Sequence, residues 1–168
     1  MRRDGKMRRL LKSLVHGEGD KKSMISSDLQ RAILARTEKI PIVKTLQLKV
    51  VSLCEGSCEV VVPRRLKYDG VFKSFHGGLL MTIADSAACF AIFTKTGPDV
   101  QLTTTDMNIR FLAPCLSDVT AKAKVIKLGR TMVPVSVDLF DSADRHVAVA
   151  QVNYMLLSNP SSSAHPIL

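Results

Sequence analysis

Residues 76–93 read His76-Gly77-Gly78-Leu79-Leu80-Met81-Thr82-Ile83-Ala84-Asp85-Ser86-Ala87-Ala88-Cys89-Phe90-Ala91-Ile92-Phe93. Two glycines open the stretch, an almost unbroken apolar run follows, and one carboxylate sits in the middle. A helix that is apolar on every side belongs inside a protein rather than on its surface. Leu79 to Phe93 spans 15 residues, short of the roughly 20 needed to cross a bilayer. The stretch therefore predicts a buried core helix. Burying a lone ionised carboxylate costs several kcal/mol unless it is paired or hydrogen-bonded. Asp85 is the residue of the segment that most needs a reason.

On the N-terminal side, Ser27 is placed to cap a helix over about 27–38 that stops before Pro41, with Leu29, Ile33 and Leu34 on one face. A hairpin follows. Residues 45–53 put Leu46, Leu48, Val50 and Ser52 on one face, Glu55-Gly56 turns, and Ser57–Val62 returns to Pro63. Residues 64–75 read as a basic, Gly-containing loop leading into His76. On the C-terminal side, Thr96-Gly97-Pro98 stops the helix. Four strands are then predicted at Val100–Leu112, Val119–Leu128, Thr131–Phe140 and His146–Leu157. Pro134 lies inside one of them, so that strand should be an edge or be bulged there. Consecutive strands with short turns make an antiparallel sheet. The expectation is an α+β domain: a curved antiparallel sheet of about six strands wrapped around one long central helix.

The 168 residues suit one domain, and 46% are hydrophobic. The division expected is a basic extension over 1–22, one domain over 23–157 with an N-terminal helix, and a loose tail over 158–168. The net charge is +9, and residues 1–22, with eight basic and three acidic side chains, carry +5 of it. The remaining +4 suits an anionic small ligand and does not call for nucleic acid. The segment Met7–Val15 reads either as a short basic amphipathic helix for membrane contact or organelle targeting, or as a solvated extension. With no apolar run typical of a secretory signal, a cytoplasmic protein is expected. The four cysteines, Cys54, Cys58, Cys89 and Cys115, match no zinc spacing, so no metal is expected.

Three further features complete a pattern. Asp85 stands seven residues after Gly78, a strand reads Thr104-Thr105-Asp106-Met107-Asn108-Ile109-Arg110-Phe111-Leu112-Ala113-Pro114, and Lys127-Leu128-Gly129-Arg130-Thr131 makes a later turn. With His76-Gly77-Gly78, and in this order, they resemble the hotdog-fold acyl-CoA thioesterases, the phenylacetate-pathway branch of the 4-hydroxybenzoyl-CoA thioesterase superfamily. The likeness covers about residues 40–157. It implies the hotdog fold, hydrolysis of an acyl-CoA thioester with no cofactor beyond the coenzyme A of the substrate, and a homo-oligomer, either a dimer or a dimer of dimers (a homotetramer). It also implies roles: Asp85 as nucleophile or general base, the Gly77 amide as oxyanion donor, and Thr104 as the hydroxyl beside the carboxylate.

Physical chemistry bears on these roles. The first amides of a helix have no intrahelical acceptor and lie at its positive end, a suitable place for a carbonyl gaining negative charge. Tight helix–sheet packing is the competing reading of Gly77-Gly78, and a buried structural carboxylate that of Asp85. Asp85 follows Gly77 by eight residues, about 12 Å along a helix axis. Both must lie roughly 3 Å from one carbonyl. One helix does not supply both, which points to Gly77 of one subunit working with Asp85 of another. His76 is read as a loop-holding motif residue and Gly78 as part of the substrate-binding turn. Arg130 is read as a candidate for the coenzyme A phosphates or a plain turn residue. Many relatives carry Asn six residues before the motif His; here Gly70 stands there, with Ser74 as a substitute candidate. Two other readings are a hotdog protein that binds acyl-CoA without cleaving it and a hotdog dehydratase.

Overall fold

In the computed structural model, residues 23–157 are described; the basic extension 1–22 and the tail 158–168 lie outside them. The elements are α1 (Ser27–Thr37), α2 (Pro41–Leu46), β1 (Lys49–Cys54), β2 (Ser57–Val62), a 3-10 turn (Leu66–Tyr68), α3 (Gly77–Thr96), β3 (Leu102–Phe111), β4 (Val119–Val125), β5 (Met132–Asp141) and β6 (His146–Leu156). The six strands form one antiparallel sheet in the order β1-β2-β4-β5-β6-β3, curved around α3. Alternation drives this. Val133, Val135, Val137 and Leu139 of β5 are each 0% exposed, and so are Val119 and Ala121 of β4. The strands present one apolar face to one apolar helix.

That helix is longer than expected, 20 residues. By length and composition it would be able to cross a membrane, so the length argument does not hold. Burial decides instead: Ile83, Ala84, Ala87, Ala88, Ala91 and Ile92 are 0% exposed beneath β2, β4 and β5. Each large side chain so buried contributes about 1.5–3 kcal/mol. Gly97, at φ 82°, ends the helix, and its N–H reaches Phe93 O at 2.9 Å. Buried Thr94 ties the helix end to the β1–β2 turn by accepting from Gly56 N–H at 2.7 Å.

Four local expectations are corrected. Ser26, not Ser27, caps α1, its Oγ accepting from Leu29 N–H at 3.2 Å. Pro41 ends one helix and opens another at its first turn, where its missing N–H costs nothing. Leu46 therefore belongs to α2, and β1 begins only at Lys49. Pro134 lies in a central strand without a bulge at that position. It falls one residue beyond the last β4 pair, Val125↔Val135. Its carbonyl accepts from Ile126 N–H at 2.9 Å, and the ladder needs no donor from it where the neighbouring strand stops. Finally, the strand expected over Val100–Leu112 runs from Leu102 to Phe111 and is bulged between Thr104 and Asp106. After the bulge the half-buried residues are Met107 and Ile109, while Asp106 and Asn108 are exposed.

Asp141 closes the β5–β6 turn. It is 8% exposed, and its carboxylate accepts from Arg145 N–H at 2.9 Å, Ala143 N–H at 3.0 Å and Arg145 Nε at 3.0 Å. The Arg145 backbone N–H, chiefly, holds its carboxyl below the usual carboxylate range. A depressed folded value means stability present above the unfolded value of about 3.9 and lost as pH falls through the folded one. Asp141→Asn should therefore melt at a lower temperature than the parent at pH 6, with the gap narrowing toward pH 3. Thermal unfolding across that range checks it; a gap independent of pH would contradict the assignment.

Candidate active site

The sequence turns into α3 at His76, which has extended backbone (φ −62°, ψ 128°). Its Nδ1 accepts from Gly78 N–H at 3.0 Å, and its carbonyl accepts from Leu79 and Leu80 N–H at 2.9 and 3.1 Å. His76 N–H is anchored on Tyr68 O at 2.8 Å. With Nδ1 an acceptor, the neutral ring carries its proton on Nε2. The amide of Gly78 is thus committed to the cap, whereas Gly77 N–H meets no acceptor among the described residues. A side chain at Gly77 would have its Cβ 2.9 Å from Phe111 Cζ. The glycine lets that ring lie over the helix start, which is the close packing of the first reading. Gly77 and Ser74 line a cavity of about 540 Å³ with Phe72, Phe75, Phe111 and Pro114.

The loop before His76 is clamped. The Arg64 guanidinium meets both Asp69 oxygens, at 3.1 and 2.6 Å, and the carbonyls of Lys73 and Leu116, each at 2.8 Å. Such forked, charge-assisted bonding fixes orientation as well as distance. Gly70, where many relatives have Asn, donates its N–H to Ser74 O at 2.8 Å.

Two turns into α3, half-buried Asp85 points to the far end of β3. Its Oδ1 accepts from Thr104 Oγ1 at 2.8 Å and from Tyr154 OH at 2.7 Å; the phenol oxygen also lies 2.8 Å from Asp85 O. Thr104 and Tyr154 are cross-strand partners on β3 and β6. Tyr154 is 3% exposed. Burial, reinforced by Cys89 and Asp85, pushes its phenol well above the usual tyrosine range, so it acts as a donor. Asp85 Oδ2 has no hydrogen bond within the described residues. Tyr154 escaped the sequence reading. Its signal is a lone hydroxyl among the inward positions of an apolar strand, which seeks a partner when buried; the carboxylate across the core seeks a donor.

Within one chain Gly77 and Asp85 stay apart. The cavity at Gly77 contains neither Asp85, Thr104 nor Tyr154. Exposed Arg130 lies on the β4–β5 turn at the Asp85 end of the sheet, where Thr131 O accepts from Leu156 N–H at 2.8 Å and Leu156 pairs with Leu102. A separate cavity of about 570 Å³ around Lys95, Lys122 and Lys124 holds none of these residues. Among the described residues no group of three His, Cys, Asp or Glu is placed to hold a metal.

The chain has the hotdog fold: it superposes on the PaaI protein of E. coli, from the phenylacetic acid degradation operon, with TM-score 0.73 and 21% identity over 80% of this chain and 96% of that one. A thioesterase family protein from Silicibacter pomeroyi superposes with TM-score 0.72 and 22% identity, over 78% and 99% of the two chains. In sequence, a model of the thioesterase superfamily matches residues 72–148. Acyl-coenzyme A thioesterase 13 of Homo sapiens is 30% identical over 126 residues, 71% of this chain and 86% of that protein, and the Pongo abelii protein matches equally. The chain belongs to the thioesterase superfamily and is a thioester hydrolase.

Proposed function

We propose that the protein hydrolyses an acyl-CoA thioester in a site shared by two copies of the chain. The observation that carries this is the pair of half-sites: a helix-start amide without an acceptor at Gly77, and a carboxylate at Asp85 anchored through one oxygen. The thioester oxygen would accept from Gly77 N–H, whose donation strengthens as the oxygen becomes negative. Asp85 Oδ2 would then attack the carbonyl carbon or take a proton from the water that does. The carbon–sulfur bond breaks, the thiolate of coenzyme A departs, and one water is consumed overall.

The β3 edge supports the dimer. It is ten residues long and, among the described residues, has no strand beyond it, a template for pairing with another strand. Antiparallel self-pairing about a two-fold axis at Asn108 would set Asp106 opposite Arg110 of the second copy. It would also set Thr104 opposite Leu112 of that copy, beside the Phe111 ring that covers Gly77. Thr104 carries Asp85 with it, so each Asp85 would approach the other copy's Gly77. Ser74, facing the same cavity as Gly77, and Arg130 would then meet substrate, the latter through phosphate.

A panel of short, long and aryl CoA thioesters tests the reading. Thiol release from at least one member, with kcat/KM in the range of a working enzyme, about 10⁴ M⁻¹s⁻¹ or more, is expected. Tight binding with every thioester recovered intact would replace hydrolysis by acyl-CoA sensing.

A further inference from the structure

We infer that Tyr154 is a positioning residue: with Thr104 it clamps Oδ1 of Asp85, which makes Oδ2 the reacting oxygen. The inference rests on the assignment of Asp85 above and goes beyond it by naming the oxygen and the group that orients it. A free aspartate turns about χ2, whose two-fold torsion makes its oxygens interchangeable. Here Thr104 Oγ1 and Tyr154 OH both reach the same oxygen, at 2.8 and 2.7 Å. They come from adjacent strands, paired directly across the ladder, so the two donors hold one geometry. Thr104 stands on the edge strand and is exposed within the single chain, whereas Tyr154 is 3% exposed. The buried phenol is the firmer half of the clamp. Its single proton is shared with the backbone carbonyl of Asp85, 2.8 Å away, which keeps the hydroxyl against the helix at that turn. The other titratable groups acting on this corner are Cys89 on α3, which burial first and Asp85 second drive up to about 12, and Arg36 of α1, whose charge acts on Cys89 in the opposite direction.

Tyr154→Phe deletes the hydroxyl and keeps the ring, so the packing survives. At neutral pH kcat should fall about tenfold, with KM changed less than threefold, as for loss of orientation at the reacting centre. Thr104→Val is the companion variant; it should lower kcat with KM held in the same way, and the double variant should lower it further. Asp85→Asn runs alongside. If Asp85→Asn is inactive while neither hydroxyl deletion lowers kcat, the clamp is refuted and the site assignment stands. A lowered melting temperature in Tyr154→Phe with kcat unchanged refutes it likewise, since the phenol would then serve only the helix carbonyl. If Asp85→Asn keeps full activity, the assignment falls and the clamp with it.

Discussion

Replacing Asp85 with asparagine should lower kcat/KM for the best thioester by about 10³-fold, the scale of a lost general base or nucleophile, with the melting temperature nearly unchanged. The substitution keeps shape and keeps an acceptor for the hydroxyls of Thr104 and Tyr154, which hold the side chain at 2.8 and 2.7 Å. It removes the negative charge and puts an amide nitrogen where Oδ2 stands. An amide neither takes a proton from water nor forms an acyl intermediate. The alternative reading of Asp85, a carboxylate kept only to accept from two hydroxyls, predicts catalysis retained, since the amide oxygen still accepts from both. A thiol-release assay separates the two, and a thermal melt on the same sample checks that the fold survives. Activity within tenfold of the parent would remove Asp85 from the chemistry.

The second large effect is expected at Gly77. Gly77→Pro deletes one backbone N–H and nothing else that α3 needs. The first helical position tolerates proline, and His76 already has the extended backbone, ψ 128°, that a following proline requires. The ring would press only on the tip of the Phe111 ring, a side chain 53% exposed within the single chain. Loss of one oxyanion donor costs about 10²–10³-fold in kcat. Mixing then tests the shared site. Co-refolded Gly77→Pro and Asp85→Asn chains, each inactive alone, should regain about a quarter of the parental activity: about half of the randomly formed dimers are mixed, and each mixed dimer has one intact site. A mixture that stays inactive while forming mixed dimers would place the whole site within one chain. Size-exclusion and native mass measurements report the dimers.

Much of this was legible in one dimension because it depends on local periodicity. The apolar run after His76 marked the core helix. The alternation Val133, Val135, Val137, Leu139 marked a strand buried on one face, and Gly56 and Gly97, at φ 70° and 82°, marked the ends of their elements. Local signals misled where two elements compete for one residue. Pro41 stops α1 and starts α2, and Thr105 adds a residue to β3 that period two cannot anticipate.

The sequence alone determined the fold class, and it determined that Asp85 and Gly77 are too far apart on one helix to act together, since helical rise is a constant of the backbone. Only the tertiary structure decided what holds Asp85. Tyr154 lies 69 residues away in the chain and 2.7 Å away in space, brought there by the closing of β6 against β3. It also decided that His76 spends its Nδ1 on the helix cap and that Gly77 makes room for Phe111. Such contacts arise between elements, and no spacing along the chain encodes which two side chains the packed core will bring face to face.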